Sequence, residues 1–189
     1  CGQVVTESIR LANDLLGCMG EGLVVGAPNL VIDLGGHTIS SGLVLDPGAE
    51  QGFFAGIRNS GHTNVVVRGG TVSGFGYGVR LMAGVTHNLV TDLTLRSNTS
   101  AGVELFDADN GRVGNTVRGN TMALNGDGVT LLGGSEGSTI AENTFSGNLG
   151  RAVVKAFAEQ GANVALVDRN AAAVDAALAD LGYKNDKRF

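Results

Sequence analysis

Tryptophan is absent from this 189-residue chain, proline occurs twice, and charged residues make up only 16% of it. With so little charge and a net of −5, nothing points to DNA or RNA as a partner. No apolar run approaches the roughly 20 residues of a membrane span. Disorder is excluded from the other side, because 43% of residues are hydrophobic and a core can be buried. Cysteine is nearly absent too, and both copies, Cys1 and Cys18, lie in the first eighteen residues. An even pair beside a domain edge reads as a disulfide and implies an oxidising compartment; two reduced thiols are the alternative. Closing so short a loop stabilises by about 3 kcal/mol in the chain-entropy model. The chain opens on Cys1 rather than Met, which fits a processed secretory leader, a tag or further protein upstream.

Glycine, by contrast, is abundant, with 31 residues, alongside Val, Thr, Leu and Asn. Many glycines with few prolines predict short strands joined by tight turns. An internal repeat supports this. The fragments H-T-I-S, G-T-V-S, L-T-L-R, N-T-M-A and N-T-F-S put Thr38, Thr71, Thr94, Thr121 and Thr144 in one column, at steps of 33, 23, 27 and 23 residues. The residues after them, Ile39, Val72, Leu95, Met122 and Phe145, form one inward ladder. A second column sets Asn29, Asn64, Asn88, Asn115 and Ser138 two residues before Val31, Val66, Val90, Val117 and Ile140. A third sets Ile57, Val79, Val103 and Val129 inward, with Leu81, Leu105 and Leu131 two residues on. Asn98, Asn125 and Asn148 make a fourth, where stacked Asn satisfies open backbone groups and tolerates left-handed geometry.

Three short alternating strands per repeat predict an all-β chain, a right-handed parallel β-helix of about five rungs. A leucine-rich repeat would show a helix or a Leu-x-x-Leu-x-Leu register, and neither is present. The expected organisation is a disulfide-closed cap over 1–22, a β-helix over 23–148 and a tail over 149–189.

The stretches N-T-V-R-G-N-T-M-A-L-N-G-D-G-V-T-L and S-T-I-A-E-N-T-F-S-G-N resemble the repeat of pectate-lyase-like β-helix proteins. That group includes periplasmic copper-site maturation proteins and sugar hydrolases or epimerases. The opening C-G-Q-V-V-T through G-G-H-T-I-S-S-G resembles the N-terminal cap of secreted bacterial members, whose paired cysteines match Cys1 and Cys18. The resemblance implies the fold; one scaffold carries lyases, hydrolases, epimerases and non-enzymatic binders.

Candidate chemistry lies on the outward positions. Arg58, Arg80, Glu104 and Thr130 stack in one column, with the two arginines about 5 Å apart. Like charges so close need an anion or a carboxylate between them. An acidic polysaccharide supplies the first, and Glu104 bridging to Arg80 the second. Another column is expected to hold Asp33, Arg68, Asp92 and Glu142, whose signs read as mutual neutralisation. Lyases of this fold need acidic Ca²⁺ ligands and a basic residue that takes the α-proton of a uronate, and by that resemblance Asp92 is the candidate ligand and Arg68 or Arg96 the candidate base, though no clustered Asp pair backs them. Asp107 and Asp109 in D-A-D-N-G look like the start of a calcium loop, but Arg118 occupies the closing position where Glu is needed, so a tight turn is the competing reading. His62 and His87 are candidates to meet at one corner as transition-metal ligands, and His37 stands apart.

After Asn148 the periodicity changes. Residues 150–161, G-R-A-V-V-K-A-F-A-E-Q-G, place Val153, Ala156 and Phe157 on one helical face and end at Gly161. N-V-A-L-V-D reads as a strand and 169–182 as a second helix. This α-β-α pattern resembles a fragment of a short-chain dehydrogenase/reductase, with Gly150 and Asp168 at the NAD(P)-binding positions. Only the last glycine of that family's motif is in register, and the catalytic Ser and Tyr-x-x-x-Lys have no counterpart, so NAD(P) is not expected. The chain reads as a junction of two families, the tail serving as a cap on the solenoid end.

The leading expectation is an extracytoplasmic module (secreted, periplasmic or on the cell surface) that binds or processes a polysaccharide, an acidic one in the first instance. It is expected to be a monomer or part of a larger chain, and no resident cofactor is expected, calcium at the Asp107 loop being the alternative. The rivals are a purely structural or adhesin-type solenoid, and an inactive dehydrogenase fragment.

Overall fold

Alternation with period two sends every second side chain of a strand to the same side, so three strands per repeat can close around a shared apolar axis. In the computed structural model, which describes residues 1–43, 54–108, 114–135 and 137–148, they do so. The first turn is short: β1 (Gln3–Val5), β2 (Ile9–Arg10) and β3 (Leu15–Cys18). Five rungs stack on it. They comprise β4 (Leu23–Val25), β5 (Val31–Asp33) and β6 (Thr38–Ser41); β7 (Ala55–Ser60) and β8 (Val66–Ser73); β9 (Tyr77–Met82) and β10 (Leu89–Arg96); β11 (Ala101–Phe106), β12 (Thr116–Arg118) and β13 (Thr121–Ala123); and β14 (Asp127–Leu132), β15 (Thr139–Ala141) and β16 (Thr144–Ser146).

All pairings are parallel. One sheet runs β1-β4-β7-β9-β11-β14, and a ten-stranded sheet wraps the other two sides because β8 and β10 pass unbroken through the corner between them. The fold is the right-handed parallel β-helix that the repeat predicts, with no α-helix among the described residues. Its core is the stack of inward ladders. Ile39, Val72, Leu95 and Met122 are fully buried, as are Ile57, Val79, Val103 and Val129. The Cys1–Cys18 disulfide closes the first turn, with Cα atoms 5.5 Å apart.

Thr38, Thr71, Thr94, Thr121 and Thr144 share one register, as expected. The Asn-led column needs a correction in its first two members. Val67, not Val66, pairs with Val90, and Ile32 pairs with Val67. The true column is therefore Leu30, Val65, Asn88, Asn115 and Ser138. The runs Leu30-Val31-Ile32 and Val65-Val66-Val67 fit either phase by apolarity alone, and a one-residue slip exchanges the faces. Hydrogen bonding decides it: Asn88 Oδ1 accepts from the Val65 N–H at 2.8 Å, and Asn115 Oδ1 from the Asn88 N–H at 3.1 Å.

Asn98, Asn125 and Asn148 do form a ladder, each Oδ1 accepting the N–H of its neighbour one rung back. Asn120 and Asn143 form another, reaching back to the Leu93 N–H. The left-handed geometry, however, sits one residue earlier than expected. Ser97, Leu124 and Gly147 have φ of 55°, 57° and 60°, and the asparagines do not. The corner residue before each Asn turns the chain, and the Asn side chain then satisfies the backbone amide that the turn leaves open. The α-β-α reading of 149–189, with Gly150 and Asp168, lies outside the described residues, and so does Asp109.

Candidate ligand-binding face

Outward positions of β7, β9, β11 and β14 bring the candidate row together. Arg58 registers with Arg80, Arg80 with Glu104, and Glu104 with Thr130. Each arginine meets a carboxylate. Arg80 Nε is ion-paired to Glu104, whose side chain is only 4% exposed, and its guanidinium lies 4.4 Å over the Tyr77 ring. Arg58 Nε stands 2.9 Å from Glu21 Oε1. The angle there is not that of a hydrogen bond, so this buried nitrogen has no hydrogen-bond partner among the described residues.

Sequence reasoning missed Glu21. It belongs to the turn before β4, outside the repeat register, and reaches the row from there; its Oε2 accepts the Ala55 N–H at 2.7 Å. Burial raises the Glu21 pKa above the usual carboxylate value, and the Ala55 amide and the charges of Arg58 and Arg80 offset only part of that. Tyr77 is raised as well, first by burial and then by the Glu104 charge.

Two rims flank the row. Asp127 shares the level of Tyr77 across Ala101, and its Oδ2 accepts from Thr130 Oγ1 at 3.3 Å. On the other side Ser60, Met82, Phe106 and Leu132 are in register. Phe106 is 44% and Leu132 43% exposed. This apolar rim also escaped the sequence reading. Its signal was there: G-V-x-L strands ending in one more apolar residue must turn that residue outward.

The second charged column proves to be two. Asp33 and Arg68 are strand partners, but Arg68 continues to Thr91 and Arg118, while Asp92 and Glu142 fall one residue later. Both occupy left-handed corner positions, φ 53° and 55°, equivalent to Gly69 and Gly119. The pairing is local. Arg68 gives Nε and an Nη to Asp33 Oδ2 at 3.2 and 3.1 Å. Arg118 Nε donates to Glu142 at 2.7 Å, which raises the Arg118 pKa. Asp92 accepts from Thr91 Oγ1 at 3.0 Å. Arg96 is exposed on β10 with no ion pair among the described residues. The Asp92 set with Arg68 or Arg96 is therefore not assembled, because Arg68 is spent on Asp33.

Asp107 is a left-handed corner residue, φ 49°, whose N–H donates to the Leu132 carbonyl. His62 and His87 do not share a level: the register that pairs Leu89 with Val66 brings His87 over Asn64. His87 Nδ1 lies 3.0 Å from Thr86 Oγ1, and His37 Nδ1 lies 3.0 Å from Asp14 Oδ1.

Residues 43–163 match the family model described as periplasmic copper-binding protein (NosD). The chain belongs to this family. No curated protein and no solved structure matches it. Membership makes the chain an extracytoplasmic β-helix module, and the Cys1–Cys18 disulfide suits the oxidising periplasm. No helix among the described residues is long and apolar enough to cross a membrane.

The family description raises copper, whose ligands are imidazole, thiolate and thioether groups. The described residues do not fit it. Both cysteines are bonded to each other, the three histidines stand apart, and no three of His, Cys, Asp or Glu gather among the described residues. Of the three methionines, Met122 is buried in the apolar axis, Met19 follows β3 and is exposed, and Met82 stands on the apolar rim at the end of β9. No step through copper is derived.

Proposed function

We propose that this β-helix is a polysaccharide-binding module whose ligand lies along the outward face of β7, β9, β11 and β14. The observation that carries the reading is the row Arg58, Arg80, Glu104 and Thr130 between Tyr77 on one rim and the exposed Phe106 and Leu132 on the other. Ionised donors and acceptors make the strong hydrogen bonds that hydroxyl groups use, while aromatic and apolar side chains receive the C–H faces of sugar rings. Rungs about 4.8 Å apart repeat this pattern along the column axis, which suits a linear polymer.

The sign of the ligand differs from the sequence expectation. Arg58 and Arg80 alone called for an acidic polymer. Glu21 and Glu104 balance them, so a polyanion would have to displace a carboxylate already in place. A hydroxyl-rich, uncharged glycan fits the balanced row better, and no catalytic residue is assigned.

Calorimetric titration with neutral and uronic-acid polysaccharides tests this. A neutral polymer is expected to bind, and Phe106→Ala to weaken it by roughly tenfold, the scale of one lost ring contact. Binding of the uronate polymer alone would return the ligand to the acidic class. Silence toward both would leave a structural solenoid, the reading that fully paired charges favour next.

A further inference from the structure

Along the candidate row the charges run Glu21, Arg58, Arg80 and Glu104, a carboxylate at each end and two registered arginines between them. The two ion pairs differ in depth. The side chains of Arg80 and Glu104 are 17% and 4% exposed, and the Arg80 guanidinium also lies over the Tyr77 ring. Those of Arg58 and Glu21 are 37% and 18% exposed. A ligand on this face therefore reaches Arg58 more readily than Arg80, and the group it must displace there is the Glu21 carboxylate.

Glu21 can give up its charge without giving up its place. Its Oε2 accepts the Ala55 N–H at 2.7 Å, a bond that a protonated carboxyl keeps through its carbonyl oxygen. The charges that face it are Arg58 from β7 and Arg80 from β9. β1, paired to the other side of β4, carries no ionisable side chain. Both arginines oppose protonation of Glu21 and burial favours it, with burial the larger influence. Once Glu21 is neutral, two arginines share the single carboxylate of Glu104, and the balanced row acquires a surplus of positive charge.

We propose that Glu21 is a proton-operated gate on this face: its protonation releases Arg58 to the sulfate or carboxylate groups of an acidic polysaccharide, which the balanced row turns away. The gate rests on the reading of this row as a glycan-binding face and adds to it a second ligand class, admitted in acid. At neutral pH an anionic polymer must break the Arg58–Glu21 ion pair before it can bind. In acid that pair no longer opposes it, and the freed guanidinium offers a sulfate or carboxylate the charge-assisted hydrogen bonds it had directed at Glu21. Binding of the polyanion therefore takes up one proton, at Glu21.

Calorimetric titration of the full chain with sulfated dextran tests the gate, because sulfate esters stay ionised while the protein titrates. As the pH falls from neutral to 4.5, the wild-type affinity is expected to rise by up to about tenfold per pH unit, the slope of one proton taken up on binding. Glu21→Gln, which keeps an acceptor for the Ala55 N–H, should bind at neutral pH as tightly as the wild type does in acid. The histidines are common to both proteins, so the comparison isolates Glu21. Arg58→Gln should lose the gain in acid, and Arg118→Gln, on another sheet face, should keep it. A Glu21→Gln variant no tighter than wild type at neutral pH would overturn the gate, and so would an acid gain that survives Arg58→Gln. Neutral dextran titrated into the same samples separates the two readings. If it fails to bind while the polyanion response holds, only the neutral-glycan reading falls; if it binds while the polyanion response is flat, only the gate does.

Discussion

The two halves of the column close their corners by different means. Toward the N-terminus the corner side chains are apolar: Leu30 and Val65 on one edge, Leu93 and Phe75 on the others, all buried. Toward the C-terminus the same positions hold Asn88 and Asn115, Asn120 and Asn143, and Asn98, Asn125 and Asn148. The changeover is a single hydrogen bond at each edge, where the first Asn accepts the N–H of the last apolar corner residue: Val65, Leu93 and Phe75. An apolar corner is stabilised by burial in its own rung. An Asn corner depends on both neighbours, because its Oδ1 serves the rung before and its N–H needs the rung after. Stability in the C-terminal half is therefore passed along the column from rung to rung.

The largest expected effect comes from emptying an apolar corner. Phe75 is 1% exposed, and Phe75→Ala should cost about 3–5 kcal/mol in urea unfolding. A loss under about 1 kcal/mol would mean that the corner collapses around the gap and that the halves do not differ as described.

Breaking a ladder comes next. Asn125→Ala removes the acceptor of the Asn98 N–H and the donor to the Leu95 carbonyl, both buried. A cost of about 2–3 kcal/mol is expected, with faster exchange spreading to the adjoining rungs. Exchange confined to one rung would show that the ladder is a set of independent bonds.

The smallest effect is a pH dependence confined to the N-terminal half. The Thr38 amide and His37 lower the pKa of Asp14, and the Gly35 amide and Arg68 lower that of Asp33. A depressed carboxylate contributes stability above its unfolded value, here 3.8, and loses it as the pH falls through the folded value. Glu21, raised by burial, has the opposite sign: its contribution is present below the unfolded value of 4.5 and is lost as the pH rises through the folded one. Asp14→Asn with Asp33→Asn should thus flatten the loss of stability below pH 3.8, and Glu21→Gln should leave that acid limb in place. Melting curves across this range would check both. An acid limb unmoved by the double variant would assign it to other carboxylates.

Legibility in the sequence divided along the same line. The Thr-led ladders could be read because a single large apolar residue between Thr and a polar or small residue allows one phase only. The early Asn-led rungs could not, because three consecutive apolar residues allow two phases and only the bond from Asn88 to Val65 separates them. In the candidate face, the Arg58, Arg80, Glu104 and Thr130 row was visible as a column. Its balancing Glu21 was not, since that residue lies outside the repeat and reaches the row only after the turn before β4 has folded.

The sequence by itself determined that this protein is a parallel β-helix, because strand alternation and repeat length are local properties that survive without knowing any contact. It also determined which residues could stack. Only the tertiary structure decided which charges are spent on each other, since an ion pair depends on how far a side chain reaches between rungs. It likewise decided that the left-handed turn falls one residue before Asn98, Asn125 and Asn148, because that position is set by the backbone amide the side chain must meet.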